Sequence, residues 1–249
     1  MGAMNYSVEI NGIHVDAIYS EKTVNELFIP LLRKLTQLQE KKGKRVLVFL
    51  AAPPGSGKST LCSFLEKLSL ETDGVTKLQA IGMDGFHRRQ EYLQTHTTIR
   101  DGKEVKMVDI KGAPITFDLD KLTNAIEQVA SDKDCYWPTY DRHLHNPIED
   151  AIHITGNIVL LEGNYLLLEE DGWKDLRKYA DYTISLSADE NMLRDRLIDR
   201  KMKSCNDLET ATHFVDYSDM ANVRLCLEKT AGADLRLKVD DGGEIIESL

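Results

Sequence analysis

A continuous apolar run followed at once by a glycine-rich loop is the feature that most limits how this chain can fold. Residues 46–51 read VLVFLA and residues 52–60 read APPGSGKST. An unbroken apolar run is typical of a strand that is covered on both faces, as in parallel sheets. The next stretch, roughly Ser59–Leu68, has the apolar spacing of an amphipathic helix. The sequence therefore predicts a buried strand, a tight loop and a helix in immediate succession.

The loop matches the P-loop pattern, except that Ala52 stands at the position of its first glycine. This departure is mild if Ala52 avoids positive φ, and the strand–loop–helix setting disfavours a chance glycine-rich turn. Lys58 can reach the β- and γ-phosphates of a nucleotide, and the Ser59 hydroxyl can bind Mg²⁺. The glycines let backbone amides approach the phosphates, and the helix N-terminus adds positive potential. We expect the nucleotide to be bound by Pro54, Gly55, Ser56, Gly57, Lys58, Ser59 and Thr60.

The sequence after the P-loop favours ATP over GTP. No N-K-x-D tetrapeptide, which specifies guanine, follows the loop, and no L-S-G-G-Q-type transporter signature is present. ATP with Mg²⁺ is therefore the expected nucleotide, although a P-loop alone does not identify the reaction.

Strand-like and helix-like stretches alternate along the rest of the chain. Further apolar runs read LQAIGM, NIVLLEG, YTISLS and ADLRLKV. Helical periodicity covers roughly Asp118–Ala130, Ala188–Lys203 and Thr212–Thr230. This alternation predicts an α/β fold with a parallel sheet and helices on both faces. Because no repeat or linker interrupts the pattern, residues 46–249 are predicted to form one domain of the P-loop NTPase fold.

Residues 1–45 are predicted to form an N-terminal extension of that domain. The stretch SVEINGIHVDAI alternates apolar and polar residues around an Asn-Gly pair that begins at Asn11. Such a pair is a strong signal for a β-hairpin with a tight turn. A helix should follow, with a capping box at Thr23 and Glu26 and a kink at Pro30.

The composition limits the kinds of partner that we expect the protein to bind and the compartment in which we expect it. The chain has 249 residues, a formal net charge of −10 and a pI of about 5.2. An acidic surface disfavours nucleic acid and anionic membranes but leaves room for a local anion-binding pocket. No apolar run could span a bilayer and no signal peptide opens the sequence, so a cytoplasmic protein is expected. Four cysteines without a C-x-x-C pair predict reduced thiols rather than disulfides or a zinc site: Cys62, Cys135, Cys205 and Cys226.

Two carboxylates stand where apolar runs end. Asp84 follows LQAIGM, and Glu162 lies near the end of NIVLLEG. Ligands of open α/β sheets gather at the carboxyl ends of strands, so both side chains should face the crevice of Lys58. Asp84 could take a proton from an attacking hydroxyl or help hold Mg²⁺, and Glu162 could hold the Mg²⁺ water shell. The plainer alternatives are a turn-initiating Asp before Gly85 and a solvated strand-end glutamate.

A cluster of polar and aromatic residues lies before NIVLLEG, where residues 138–147 read PTYDRHLHNP. Such a cluster suits a pocket for a second, polar substrate. The alternative is a solvated loop, which is the preferred interpretation for His143. The cluster consists of Tyr140, Asp141, Arg142, His143 and His145.

A basic stripe runs along the predicted helix after YTISLS. Ser187 and Glu190 have capping-box spacing at its start. Arg196, Arg200 and Lys203 recur at i, i+4 and i+7. We hypothesise a lid whose arginines neutralise phosphate charge. The alternative is a solvated helix whose basic residues pair with neighbouring aspartates.

Five segments in order resemble the uridine kinase, phosphoribulokinase and pantothenate kinase superfamily: the P-loop, MDGFH, KGAPITFD, PTYDRHLH and LLEGNYLLL. The resemblance covers roughly Val46–Val239. It implies transfer of the γ-phosphoryl group of ATP to a hydroxyl, with Asp84 as base, Glu162 linked to Mg²⁺, and Tyr140 and His145 at the acceptor. We accordingly assign the acceptor to Asp84, His87, Tyr140, Arg142 and His145, catalysis to Lys58, Asp84, Arg196 and Arg200, and Mg²⁺ to Ser59 and Glu162.

The chain combines the patterns of two branches of that superfamily. Gly112 stands where uridine kinases carry the aspartate of Asp-His-Pro, which holds the ribose. The segment KGAP at Lys111–Pro114 instead resembles the K-G-x-P of pantothenate kinases. The combination fits a less characterised bacterial branch, so the expected acceptor is a nucleoside, a sugar or a pantothenate-like compound rather than uridine alone.

Two other functions remain as alternatives to the small-molecule kinase. One is a nucleotide-driven switch or assembly ATPase without a small-molecule acceptor. The other is a binding module that lost catalysis, which the set Lys58, Ser59, Asp84 and Glu162 disfavours. The expected partners are ATP and the acceptor, with neither nucleic acid nor membrane, and a homodimer is left open.

Overall fold

The computed structural model describes residues 2–10, 12–142, 144–203 and 207–248. The strands, numbered in chain order, are β1 Ala3–Ile10, β2 Ile13–Ser20, β3 Val46–Ala51, β4 Leu78–Gly82, β5 Thr97–Arg100, β6 Lys103–Lys106, β7 Tyr136–Asp141, β8 Asn146–His153, β9 Ile158–Gly163, β10 Tyr182–Ser187, β11 Leu235–Val239 and β12 Ile245–Glu247. The α-helices of more than one turn are α1 Ile29–Lys42, α2 Lys58–Glu71, α3 Gln90–Thr95, α4 Leu119–Ala130, α5 Glu190–Met202, α6 Leu208–Phe214 and α7 Met220–Lys229.

The central sheet has the strand order β12-β11-β10-β3-β9-β4. Strands β11, β10, β3, β9 and β4 are parallel, and β12 pairs antiparallel with β11 at the edge. The predicted α/β fold is therefore confirmed. The short edge strand β12 was not predicted.

Both faces of the sheet are covered, as predicted. Alternate residues of β3 point to opposite faces, so Val48 joins one buried cluster and Phe49 joins the other. The Val48 cluster includes apolar residues of α1, α2 and α5. The Phe49 cluster includes residues of α4. Every residue of β3 is buried, which explains the unbroken apolar run in its sequence.

The N-terminal hairpin forms as predicted, with β1 antiparallel to β2 from Ala3–Ser20 to Ile10–Ile13. Asn11, at the turn, lies outside the described residues, and Gly12 adopts a φ of 78°. The hairpin packs on α2. The Tyr6 and Ser63 hydroxyls are 2.7 Å apart, and the rings of Tyr19 and Phe64 stack at 4.3 Å. The extension thus shares a core with the central sheet.

The predicted capping box at Thr23 and Glu26 is wrong. Ser20 is the N-cap instead, because its hydroxyl accepts a hydrogen bond from the Thr23 amide at 3.0 Å. The helix begins at Glu21, passes through a π-helical turn at Val24–Phe28 and continues as α1. Pro30 lies at the start of α1, right after the π-helical turn. The wider turn suits a position where proline removes an amide donor.

The predicted capping box at Ser187 and Glu190 is also wrong. Asp189 caps α5 by accepting hydrogen bonds from the amides of Asn191 and Met192 at 2.9 and 3.2 Å. The Asp189 carboxylate lies next to the first helical residue, so it reaches these amides directly.

The predicted helix at Thr212–Thr230 has different bounds. Asp207 caps α6, and a π-helical turn at Val215–Asp219 separates α6 from α7. Two hairpins that the sequence analysis did not identify, β5–β6 and β7–β8, also form.

Three of the four cysteines, Cys62, Cys135 and Cys226, are buried and free. Cys205 lies outside the described residues. Within the described ranges, none of the helices combines the length and the apolar character that crossing a membrane requires.

Candidate active site

The P-loop connects β3 to α2. Gly55 and Gly57 have φ values of 82° and 85°, which favour glycine. Ala52 is not among the residues with positive φ, so alanine fits the position where the pattern has glycine. A Cβ on Gly55 would lie 3.1 Å from the Leu193 carbonyl oxygen of α5. The predicted lid helix therefore packs directly against the loop.

The side chains of Ser59 and Glu162 contact each other next to the P-loop. Glu162 lies in β9 opposite Leu50 of β3, so the parallel register brings it to the P-loop end of the sheet. The Ser59 hydroxyl donates a hydrogen bond to Glu162 Oε1 at 2.7 Å. Burial raises the pKa of Glu162, and the nearby Lys58 ammonium opposes this effect. A hydroxyl and a carboxylate side by side are the kind of oxygen donors that Mg²⁺ binds.

Asp84 lies two residues beyond β4, in a 3₁₀ turn at Met83–Phe86. This turn packs so closely against β7 that a Cβ on Gly85 would lie 2.3 Å from the Pro138 carbonyl oxygen. Burial alone raises the pKa of Asp84, but the positive charges of the His87 ring, which is protonated at the acidic pH where the carboxyl titrates, and of Arg142 outweigh it, so the pKa is lower than usual. The carboxylate is consequently ionised at neutral pH.

One cavity of about 720 Å³ joins the two ends of the predicted site. Its lining includes nine residues that the sequence analysis assigned to the site: Pro54, Lys58, Ser59, Asp84, His87, Tyr140, Arg142, His145 and Arg200. Glu162 contacts this lining through Ser59. The cavity thus contains both the P-loop lysine and the aspartate assigned as base.

The acceptor end of the cavity is built around a cluster of tilted aromatic rings. The His87 ring lies 3.9 Å from Phe117 and 5.1 Å from Tyr140. His87 Nδ1 is 2.9 Å from the Asp84 carbonyl oxygen, which can only accept, so Nδ1 carries a proton. Burial lowers the pKa of His87, with Asp84 opposing, so the ring is neutral at pH 7. His145 adopts a left-handed φ of 52°, and His143 lies outside the described residues.

The structure separates the two arginines that the hypothesis placed on one lid. Arg200 lines the cavity, whereas Arg196 does not. A guanidinium nitrogen of Arg196 lies 3.9 Å from the position of a Cβ at Gly243, before β12. The separation arises because Arg196 is one helical turn nearer the start of α5. The assignment of Arg196 to the site therefore has no support from its position.

The cavity also contains residues that the sequence analysis did not assign. Asn164 could have been found, because it follows Glu162 by two residues at the end of β9. Asp219 and Asn222 are spaced i, i+3, which places them on one face of a helix. The remainder come from the KGAP segment, from the predicted lid helix and from segments that carry no motif, including the tip of the N-terminal hairpin. The unassigned lining residues are Gly12, His14, Lys111, Gly112, Asn164, Leu197, Lys201, Lys203, Phe214, Asp219 and Asn222.

The chain shares sequence with proteins of bacteria and yeast over most of its length. The family model described as AAA domain matches residues 48–213. "Uncharacterized protein YggC" of Escherichia coli strain K12 is 37% identical over 241 residues, covering 96% of this chain and 98% of that protein. A Schizosaccharomyces pombe protein named "Putative uridine kinase" is 33% identical over 204 residues, covering 80% of this chain and 85% of that protein. This chain belongs to the uridine kinase, phosphoribulokinase and pantothenate kinase superfamily of P-loop kinases.

A solved structure extends the likeness to three dimensions. The "putative fructose transport system kinase" from Silicibacter sp. TM1040 matches this chain with a TM-score of 0.71 and 29% identity. The match covers 82% of this chain and 98% of that one. The names of these relatives differ in the compound that they mention. Membership in the superfamily therefore establishes a P-loop kinase, and the acceptor has to be inferred from the geometry of the site.

Proposed function

We propose that this kinase transfers the γ-phosphoryl group of Mg·ATP to a hydroxyl of a small polar metabolite. The observation that carries the proposal is that Asp84 and Lys58 line one cavity. Positive charge keeps Asp84 ionised, so it can accept the proton of an attacking hydroxyl. A second site for a polar molecule is what distinguishes a small-molecule kinase from a switch or assembly ATPase.

The two ends of the cavity have separate roles in this proposal. The P-loop amides and Lys58 bind the phosphates, and Ser59 and Glu162 hold Mg²⁺, whose preference for oxygen ligands their adjacent oxygens fit. When bound, Mg²⁺ neutralises charge on the phosphate oxygens. At the other end, His87, Tyr140, Arg142 and His145 bind the acceptor, and Arg200 offsets charge that develops during transfer. Asp84 lies between these groups.

The proton step follows from the surroundings of Asp84. One guanidinium nitrogen of Arg142 is 4.0 Å from Asp84 Oδ2, which leaves the carboxylate without a close ion pair from this residue. The carboxylate oxygen can therefore turn to the acceptor hydroxyl and take its proton as the new O–P bond forms. The bond between the γ-phosphorus and the β,γ-bridging oxygen breaks in the same transfer, and ADP is the leaving group.

The acceptor is not expected to be uridine alone. Gly112 lines the cavity at a φ of 101°, a conformation that favours glycine, and it offers no carboxylate to a ribose diol. A site without such a partner discriminates poorly in favour of that diol.

Formation of ADP with and without an acceptor tests the proposal. We expect ADP formation by the full chain with Mg·ATP to rise severalfold when a pool of nucleosides, sugars and pantothenate-like compounds is added. Fractionation then assigns the stimulating compound, and mass spectrometry should find one added phosphoryl group. Equal turnover with and without the pool would support the switch or assembly ATPase, and efficient selection of uridine over the other compounds would refute the inference from Gly112.

A further inference from the structure

Lys111 holds a positive charge in the cavity without a negative partner. Its ammonium donates to Gln90 Oε1 at 2.7 Å and to the His145 carbonyl oxygen at 3.2 Å. It also lies 5.1 Å from the centre of the Tyr140 ring. All three are neutral groups, and no carboxylate of the described residues forms an ion pair with Lys111. Its charge is therefore positioned but not neutralised.

Two other lysines that are held in place by hydrogen bonds are paired with carboxylates. Lys42 pairs with Asp181 at 2.5 Å, and Lys121 pairs with Glu149 at 2.6 Å. The chain has 41 acidic and 31 basic residues, so carboxylates are abundant. Burial lowers the pKa of Lys111 to about 8, as expected for a cation without a counter-ion. Removing part of the water shell of such a cation costs free energy, which a bound anion would offset.

Lys111 lies at the acceptor end rather than at the phosphate end. It contacts Tyr140 and His145, and its charge acts on His87. The charge of Lys58, in contrast, acts on Asp84 and Glu162. The two lysines thus serve different parts of the cavity.

Arg142 provides a second donor without a partner at the same end. Its Nε is buried and makes no hydrogen bond among the described residues. The neighbouring Gly112 contributes only backbone to the lining. The acceptor end therefore offers two cationic donors. Of the two carboxylates in the cavity lining, Asp84 is already assigned to the proton, and the charge of Asp219 interacts first with that of Arg200.

We propose that the acceptor carries an anionic group, a carboxylate or a phosphate, besides the hydroxyl that is phosphorylated, and that Lys111 binds this group. This inference rests on the kinase activity proposed above. It selects acid or phosphate derivatives of polyhydroxy compounds over neutral nucleosides and sugars.

Matched pairs of compounds test the charge directly. In the carboxylate arm, pantothenate is compared with pantothenol and gluconate with sorbitol. In the phosphate arm, fructose 6-phosphate is compared with fructose and ribose 5-phosphate with ribose. Binding is measured as the shift in Tm of the full chain with a non-hydrolysable ATP analogue and Mg²⁺, and turnover as ADP formation. We expect an anionic member of one arm to exceed its neutral partner in both, and that arm identifies the group.

Variants of Lys111 assign the effect to this residue. Lys111→Met should raise the KM of the anionic compound about 10- to 100-fold, as expected for loss of a hydrogen bond to a charged group, with a smaller change in kcat. Lys111→Arg keeps the charge but not the shape of the donor group, so it should lose less affinity than Lys111→Met. Lys106→Met is the matched control, since Lys106 is exposed on β6 and does not line the cavity.

The pH dependence gives a readout that a merely structural role would not produce. Lys111 is protonated below its pKa, so kcat/KM for a carboxylate acceptor should fall as pH rises above about 8, and this limb should be absent in Lys111→Met. The pKa of Asp84 is lower than usual, and burial raises that of Asp219, the other carboxyl in the cavity lining. Burial raises the pKa of Tyr140 to about 12 and lowers that of His87, and Arg142 stays charged.

Two results would overturn the proposal: no anionic compound binds better than its neutral partner, or Lys111→Met keeps the full preference. The kinase proposal fails separately. If anionic compounds bind through Lys111 but none accelerates ADP formation or gains a phosphoryl group, the anion site stands and the kinase assignment falls. If a neutral compound is phosphorylated with no dependence on Lys111, the kinase assignment stands and the anion site falls.

Discussion

The phosphate end and the acceptor end of the cavity are built in different ways. The phosphate end comes from one contiguous segment, residues 54–60, between β3 and α2. The acceptor end combines the turn after β4, the segment at Lys111, the β7–β8 hairpin and the start of α7. A contiguous loop has its geometry set by local backbone conformation, whereas the other end depends on how separate segments pack. We therefore expect substitutions at the two ends to differ in kind.

The two ends also differ in how their charges are balanced. At the phosphate end, the charge of Lys58 acts on Glu162, to which Ser59 donates, and on Asp84, which lies between the two ends. At the acceptor end, Lys111 has only neutral contacts. The charges of the phosphate end are therefore balanced before nucleotide and Mg²⁺ bind, whereas the acceptor end needs the acceptor to supply its counter-charge.

The largest effect is expected at the phosphate end. Lys58→Ala should lower kcat/KM for ATP about 10²–10³-fold, because a preorganised charge near the transferring group is lost. ATP affinity should also weaken, about 10- to 100-fold. Calorimetry with an ATP analogue and steady-state kinetics measure the two effects. Lys67→Ala, an exposed position on the same helix, is the control and should change neither. Normal affinity and turnover in Lys58→Ala would contradict the assignment.

Asp84→Asn tests the group that lies between the two ends. Asparagine keeps the shape and loses the proton acceptor, so kcat with a stimulating acceptor should fall about 10²–10³-fold, the lower half of the range for general bases. ATP Kd should change little, because the P-loop contacts remain. A weaker Kd only in the presence of Mg²⁺ would instead assign Asp84 to the metal, and a normal kcat with a lower Tm would make it a turn residue.

The smallest expected effect is at Gly112, and it is on stability. Its φ of 101° is strained for any other residue, so Gly112→Ala should lower the free energy of unfolding by about 1–3 kcal/mol. ATP affinity should be unchanged, because the substitution affects only the acceptor end. Urea unfolding measures the loss. Gly232→Ala is the control, since its φ is not positive and a Cβ there would meet nothing within 4 Å. Equal stabilities of the two variants would show that the conformation at Gly112 is not required.

Local pattern was sufficient for the parallel strands of the main sheet and for the P-loop. The strand β3 and the loop glycines Gly55 and Gly57 could be inferred from residues adjacent along the chain. Burial on both faces requires an unbroken apolar run, and positive φ favours glycine, so both features are visible in the sequence. Helix starts were harder. At α5 the sequence analysis assigned the cap to Ser187, whereas Asp189 caps the helix because its side chain reaches the free amides.

The sequence by itself determined the fold class, the P-loop and the carboxylates at the ends of β4 and β9, since each depends on residues close along the chain. Only the tertiary structure decided which side chains share the cavity. It placed Arg200 at the cavity and Arg196 beside Gly243, although a helical spacing of four residues puts both on one flank. It also brought Lys111 to Tyr140 and His145, about 30 residues further along the chain. Periodicity describes one helix at a time, whereas the surroundings of a side chain depend on the elements packed against it.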